Sequence, residues 1–160
     1  MWIPGLGRYK PAAGNRVGDA APDFTLPDQD GKPVHLAEQL RAGPVALVFY
    51  PRAGTPVCTR QMCSLREGWT ELMQRAHVFG ISYDGMPALK LFQQAENLPF
   101  SLLSDEDRIV SRAYGVAGWF VAARVTFVIG AGGLIRAVIE HIKAGDHAAQ
   151  VMAALTENAA

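Results

Sequence analysis

The chain has 160 residues and 17.3 kDa, with 49% apolar and 19% charged residues; this is the size and mixture of one globular domain and excludes a disordered or collagen-like chain. Fifteen Lys and Arg balance fifteen Asp and Glu, which argues against a nucleic-acid partner, since such binders carry a basic patch. No apolar run approaches the roughly 20 residues of a membrane span, and the opening MWIPGLGRYKPAAGN has no apolar core of a secretion signal.

Residues 1–16, rich in Gly and Pro, are expected to form a loosely held extension, with 17–160 as one domain. Asp23–Leu26 and Lys32–Leu36 flank the turn DQDG and predict a short hairpin. PVALVF (Pro44–Phe49) is a continuous apolar run, as expected of a strand buried on both faces. Pro56–Arg75 has helical periodicity, His77–Tyr83 predicts a second buried strand, and Pro87–Asn97 a second helix. Phe100–Leu103 is a short extended piece, and Asp105–Tyr114 predicts another helix with an acidic first turn. Arg124–Ile129 and Leu134–Glu140 are joined by GAGG, a hairpin signal, and Asp146 is expected to cap a final helix ending near Asn158. Alternation of strand and helix implies parallel strands with helical crossovers, and the late hairpin an antiparallel edge. The expected fold is a mixed α/β sandwich with helices on both faces of the sheet.

Only two cysteines occur, Cys58 and Cys63. That is too few for a disulfide framework or a four-ligand structural zinc site, and no metal is expected. The four histidines (His35, His77, His141, His147) are scattered and expected to be structural or solvated. A bland reading makes the cysteines two small buried hydrophobes. The surrounding FYPRAGTPVCTRQMC (Phe49–Cys63) points elsewhere. A strand ends at Tyr50, a loop follows, and Thr55-Pro56 opens a helix as N-cap and first residue. Cys58 then stands third in the helix, where unpaired amides and the helix dipole favour an anion and hence the thiolate, the reactive form. Arg52 and Arg60 flank it, with no acid between Tyr50 and Leu65.

Cys58, Met62, Leu65, Trp69, Leu72 and Met73 form one stripe at helical spacing, which turns Cys58 inward. Cys63 stands about 140° around the helix and roughly 7.5 Å along it. The two Cα atoms are therefore about 8.6 Å apart in an intact helix, beyond the limit of about 7 Å for a disulfide. Any reaction between the two requires the first turns to unwind. Thiolate formation alone gives a small gain, because nucleophilicity falls as the thiolate becomes more stable. Rate has to come from donors aimed at developing charge, for which the Thr55 hydroxyl, the amides around Val57 and Cys58, and a fixed guanidinium are candidates.

P-x-x-x-T-x-x-C, here Pro51, Thr55 and Cys58, resembles the signature of the peroxiredoxins, thiol peroxidases on a thioredoxin-like fold. A second cysteine five residues on is similar to the bacterioferritin-comigratory-protein (PrxQ) branch. VGDAAPDFTLPDQDGKPVHL, VFGISYD, LPFSLLSDED with AYGV, and RVTFVI extend the likeness from about Val17 to Glu157. The resemblance implies a three-layer thioredoxin-like sandwich, with no cofactor. Cys58 would be the peroxidatic cysteine that becomes a sulfenic acid, and Cys63 the resolving cysteine that closes a Cys58–Cys63 disulfide. Thr55 would bind thiolate and peroxide, Pro51 would shield the sulfur, and Arg124 would hold the thiolate and polarise the peroxide. Thioredoxin or a similar dithiol protein would recycle the disulfide in the cytoplasm; a monomer is expected, with a weak dimer as the alternative. Arg52, Ala53 and Gly54 stand where the family often carries acids, Val57 where Gly is usual, and Gly130 where Asp is common. Trp119 and Phe120 are expected in the core, the alternative being a wall of the peroxide pocket. Two rival readings remain: a thioredoxin-like disulfide oxidoreductase and a non-catalytic redox switch.

Overall fold

The computed structural model describes residues 7–157. Its centre is β3 (Val45–Phe49), in which every residue is buried. β4 (His77–Ser82) pairs with it in parallel and β6 (Val125–Ile129) antiparallel. Outside them lie β5 (Ser101–Ser104), parallel to β4, and β7 (Ile135–Ile139), antiparallel to β6, giving the order β5, β4, β3, β6, β7. β1 (Thr25–Pro27) and β2 (Pro33–His35) form the separate N-terminal hairpin. Side chains of a strand alternate between faces, so β3 serves two cores. Ala46, Val48 and Tyr50 meet α2 (Pro56–Glu67), α3 (Trp69–Leu72), α4 (Met86–Ala95) and α6 (His147–Glu157). Val45, Leu47 and Phe49 meet the hairpin, α1 (Leu36–Leu40) and α5 (Ile109–Ala113). This is the expected three-layer α/β sandwich.

The N-terminal segment covers both rims of the sheet, where unpaired strand edges invite aggregation. Gly18 and Ala21 donate to Ile135 and Gly133 carbonyls on the β7 side. On the β5 side Asp28 bridges Leu103, and the buried Leu102 amide donates to Gln29 Oε1 at 3.0 Å. Residues 1–6 of the expected extension lie outside the described residues. Residues 7–16 have no regular structure yet are not loose. The Lys10 amide donates to Gly115 O at 2.8 Å, Tyr9 stacks edge-on against Phe127 at 5.7 Å, and Asn15 is buried.

Several boundaries differ from the sequence expectation for local reasons. The helix expected over Pro56–Arg75 breaks at Gly68, where a Cβ would stand 2.7 Å from Ala148 Cβ: α6 docks there, and only Gly leaves room. The same docking caps α6, because its Ala148 amide donates to Ser64 Oγ at 3.2 Å. Asp146 instead belongs to a 3-10 turn, Ala144–Asp146; the expected end of α6 near Asn158 lies outside the described residues. Beyond the break Met73 is exposed, so it leaves the inward stripe. α5 starts at Ile109 rather than Asp105, after Arg108 turns through left-handed backbone (φ 65). Asp105 is fully buried and accepts from the Val110 and Ser111 amides, capping the helix from a distance. α1 was not expected; its Ala37 amide is held by Asp23 Oδ1 at 3.1 Å, a partner remote in sequence.

One clamp joins α6 to β6. The His147 ring is fully buried, with Nε2 2.8 Å from Thr126 Oγ1 and Nδ1 3.0 Å from Gln150 Oε1. Gln150 Oε1 can only accept, so Nδ1 carries the proton and Nε2 accepts from the Thr126 hydroxyl. Burial, with Arg124 nearby, pushes His147 down to about 4, below the ordinary value of about 6.5. The unfolded chain then takes up this proton before the folded one. The clamp's contribution is complete above about pH 6.5 and is lost progressively as the pH falls to about 4, a change of about 3 kcal/mol. Urea titrations across that interval are expected to show this decline, and His147→Gln to flatten it; a wild-type slope in the variant would contradict the assignment.

Candidate active site

β3 delivers the chain at Tyr50 into the loop 51–55, whose tip Gly54 adopts left-handed backbone (φ 79). The loop is anchored to the end of β4: Asp84 Oδ2 accepts from the Ala53 amide at 2.8 Å and from Ser82 Oγ at 2.7 Å. Ser104 Oγ in turn donates to Asp84 O at 2.6 Å. Thr55 is extended (φ −76, ψ 153) and Pro56 follows at the helix start. The Thr55 hydroxyl does not cap α2, however; it donates to Arg52 O at 2.8 Å. No side chain caps the first turn, whose amides are left to any anion placed there.

Cys58, in that first turn, has 0% of its surface exposed. Arg124 Nη1 stands 3.2 Å from Cys58 Sγ and 2.7 Å from Gln61 Oε1. Sheet register brings this about. Phe49 pairs with Val125, so position 124 lies level with Tyr50 on the face that α2 covers. The half-buried guanidinium therefore meets the helix N-terminus at the strand's end. Arg52 and Arg60, expected to make the local field positive, are exposed; the cation that reaches the sulfur is Arg124. Pro51 is half-buried in the loop directly after Tyr50.

Cys63 is half-buried on another side of α2 and carries no disulfide, as is true of Cys58. Its Sγ donates to Glu96 Oε1 at 3.4 Å. Burial first, and the Glu96 hydrogen bond second, push the Cys63 thiol up. Two cysteines on one unbroken helix thus face opposite charges. Among the described residues no group of three or more His, Cys, Asp or Glu could hold a metal ion, and no helix is long and apolar enough to cross a membrane.

Sequence reasoning missed Gln61 and Tyr50. Gln61 is fully buried three residues after Cys58, so its signal was a polar residue on the stripe's side of α2. Its Nε2 is a buried polar atom with no hydrogen-bond partner among the described residues, and the buried Tyr50 hydroxyl lies beside Ser82. Burial pushes the Tyr50 phenol far above its ordinary range, so it is a neutral donor. Trp119 and Phe120 are not in the core: they are 80% and 63% exposed and stack on each other at 5.5 Å. Backbone polar groups hold that loop instead, with Tyr83 Oη donating to Gly118 O and Arg108 Nη1 to Trp119 O.

Residues 17–138 match the AhpC/TSA family. "Peroxiredoxin Bcp" of Escherichia coli is 40% identical over 153 residues, covering 90% of this chain and 97% of that protein. "Putative peroxiredoxin bcp" of Coxiella burnetii is 39% identical over 148 residues, covering 87% and 97%. Among solved structures, peroxidoxin BcpB of Mycobacterium tuberculosis superposes with a TM-score of 0.83 at 35% identity, over 91% of this chain and 99% of that one. Peroxiredoxin Q of Xanthomonas campestris superposes at 0.79 with 25% identity, over 86% and 92%.

The Asp84 anchor makes the enclosure of Cys58 testable. Asp84→Ala leaves the Ala53 amide without its acceptor, at a cost of about 1–3 kcal/mol, and the loosened loop is expected to speed alkylation of Cys58 by iodoacetamide. Asp84→Asn keeps a carbonyl acceptor and is expected to stay close to wild type. Equal alkylation rates in all three proteins would show that this loop does not enclose the sulfur.

Proposed function

The chain belongs to the AhpC/TSA family, among its Bcp/PrxQ peroxiredoxins, and from that premise we propose how its own residues carry the reaction. It is a thiol-dependent peroxidase. We assign the attack to Cys58, on hydrogen peroxide and organic hydroperoxides. The observation that carries this is the Arg124 guanidinium 3.2 Å from a fully enclosed sulfur at the start of a helix.

In the proposed cycle the Cys58 thiolate attacks one peroxide oxygen and the O–O bond breaks. Cys58 leaves as sulfenic acid, and the other oxygen departs as water or an alcohol after taking a proton. Arg124 stabilises the sulfur anion beforehand and the growing charge on the leaving oxygen afterwards, and Gln61 keeps the guanidinium aimed. Preorganised cations in enclosed sites act strongly because water does not screen them. Thr55, whose hydroxyl rests on Arg52 O, turns to the incoming peroxide, and Pro51 limits water at the sulfur. The unpaired Gln61 Nε2 donor carries a desolvation cost of about 1–3 kcal/mol that a substrate oxygen can relieve. Cys63 then condenses with the sulfenic acid into a Cys58–Cys63 disulfide. Both cysteines lie within α2, about 8.6 Å apart at Cα by helix geometry, so this step includes local unwinding.

Thioredoxin or a similar dithiol protein reduces the disulfide in this reading, and a chain with only two cysteines, too few for a disulfide framework, suits the cytoplasm. The catalytic unit is a monomer, with a weak dimer as the alternative. Neither rival reading has comparable support. A dithiol oxidoreductase needs cysteines that bond without unwinding, and a non-catalytic switch leaves the aimed Arg124 without a role.

Cys58→Ser is expected to abolish peroxide consumption. Cys63→Ser is expected to complete a first turnover and stall as sulfenic acid, seen by dimedone trapping and mass spectrometry; sustained turnover with thioredoxin would remove Cys63 from the cycle. In stopped-flow measurements Arg124→Ala is expected to slow sulfenic acid formation by about 10²–10³-fold. An unchanged second-order rate would remove Arg124.

A further inference from the structure

Glu96 terminates α4, with Asn97 beyond it in left-handed backbone (φ 50). Two side chains of α2 converge on this residue. Cys63 Sγ donates to its carboxylate at 3.4 Å, and Arg66, three residues later on α2, donates from Nη1 to its carbonyl. The charged groups that act on the thiol are Glu96, Arg66 and Glu67. Both contacts require α2 to be helical through Arg66. A disulfide with Cys58 requires the opposite: Cys63 has to swing through about 140° of helix and close a Cα gap of about 8.6 Å to below about 7 Å. The Cys63–Glu96 contact therefore exists only before resolution, and whatever it contributes stabilises the dithiol form alone.

We propose that Glu96 latches Cys63 in the dithiol state, and that this carboxylate sets both the rate of resolution and the position of the dithiol–disulfide equilibrium. The inference rests on the reading of Cys63 as the resolving cysteine. In the step concerned the Cys63–Glu96 hydrogen bond breaks and the Cys63 sulfur attacks the Cys58 sulfenic sulfur. The S–S bond forms, the S–O bond breaks, and hydroxide leaves with the Cys63 proton as water. The two electrons come from the Cys63 thiol. While latched, Cys63 stays a protonated thiol, consistent with the upward push of burial and of Glu96, and peroxide is left to Cys58. Glu96 is thus a positioning residue: it touches neither peroxide nor the peroxidatic sulfur.

Glu96→Ala removes the carboxylate and leaves the carbonyl that Arg66 grips. After one equivalent of hydrogen peroxide, rapid acid quench and peptide mapping are expected to show disulfide forming about three- to tenfold faster than in wild type, the range of one net hydrogen bond. Equilibration with a dithiothreitol redox buffer is expected to shift toward disulfide by a similar factor. Glu96→Gln keeps a neutral acceptor and falls between, and Arg66→Ala moves both readouts the same way as Glu96→Ala. Sulfenic acid formation in a Cys63→Ser background is expected to be unaffected by Glu96→Ala. Unchanged resolution and equilibrium in Glu96→Ala would overturn the latch alone. Slower resolution would make Glu96 a proton acceptor instead. A wild-type chain that forms no Cys58–Cys63 disulfide would overturn the resolving role first, and the latch with it.

Discussion

The contact between Arg124 and Cys58 joins residues 66 positions apart, and the rest of the architecture decides whether it exists. α2 supplies the sulfur at its first turn because β3 ends there. β6 supplies the guanidinium because its antiparallel register sets Val125 against Phe49. A one-residue slip in that register would carry Arg124 to the opposite face of the sheet. Such a slip would also expel Val125, Phe127 and Ile129 from the core they fill around Phe49 and Tyr114. The hydrophobic packing of one face thus fixes the polar geometry of the other. His147 adds to this from the helix layer, since it grips Thr126, two residues beyond Arg124 and on the same face.

The two cysteines share a helix but differ in electrostatic surroundings. Cys58 meets a cation and an uncapped helix start; Cys63 meets a carboxylate at the end of a neighbouring helix. The second setting favours its sulfur as a thiol. Rigid α2 maintains this difference by holding the sulfurs on different sides, and the proposed cycle depends on its yielding locally.

Much of the fold was legible because its signals are local. Val45–Phe49 and His77–Ser82 read as buried strands from unbroken apolar runs, and the Thr55-Pro56 helix start from its cap and proline pattern. What escaped is set by partners remote in sequence. Gly68 breaks the helix because α6 arrives there, and α1 forms where Asp23 reaches the Ala37 amide in its first turn. Asp105 caps α5 from outside it. At the site, Cys58 could be placed from periodicity, whereas Gln61 and Glu96 acquire meaning only once the strand and helix ends meet. Trp119 and Phe120 show the converse error: bulk and apolarity suggested core, but backbone contacts hold their loop at the surface.

The central claim, that Gln61 aims Arg124 at the Cys58 sulfur, is tested most directly by a double-mutant cycle on the second-order rate of peroxide reduction. If it holds, Gln61→Ala slows the protein by about tenfold when Arg124 is present, roughly the loss of one charge-assisted hydrogen bond. The same substitution then has no further effect in an Arg124→Ala background. Equal losses in the two backgrounds would mean that Gln61 and Arg124 act independently, and would contradict the account.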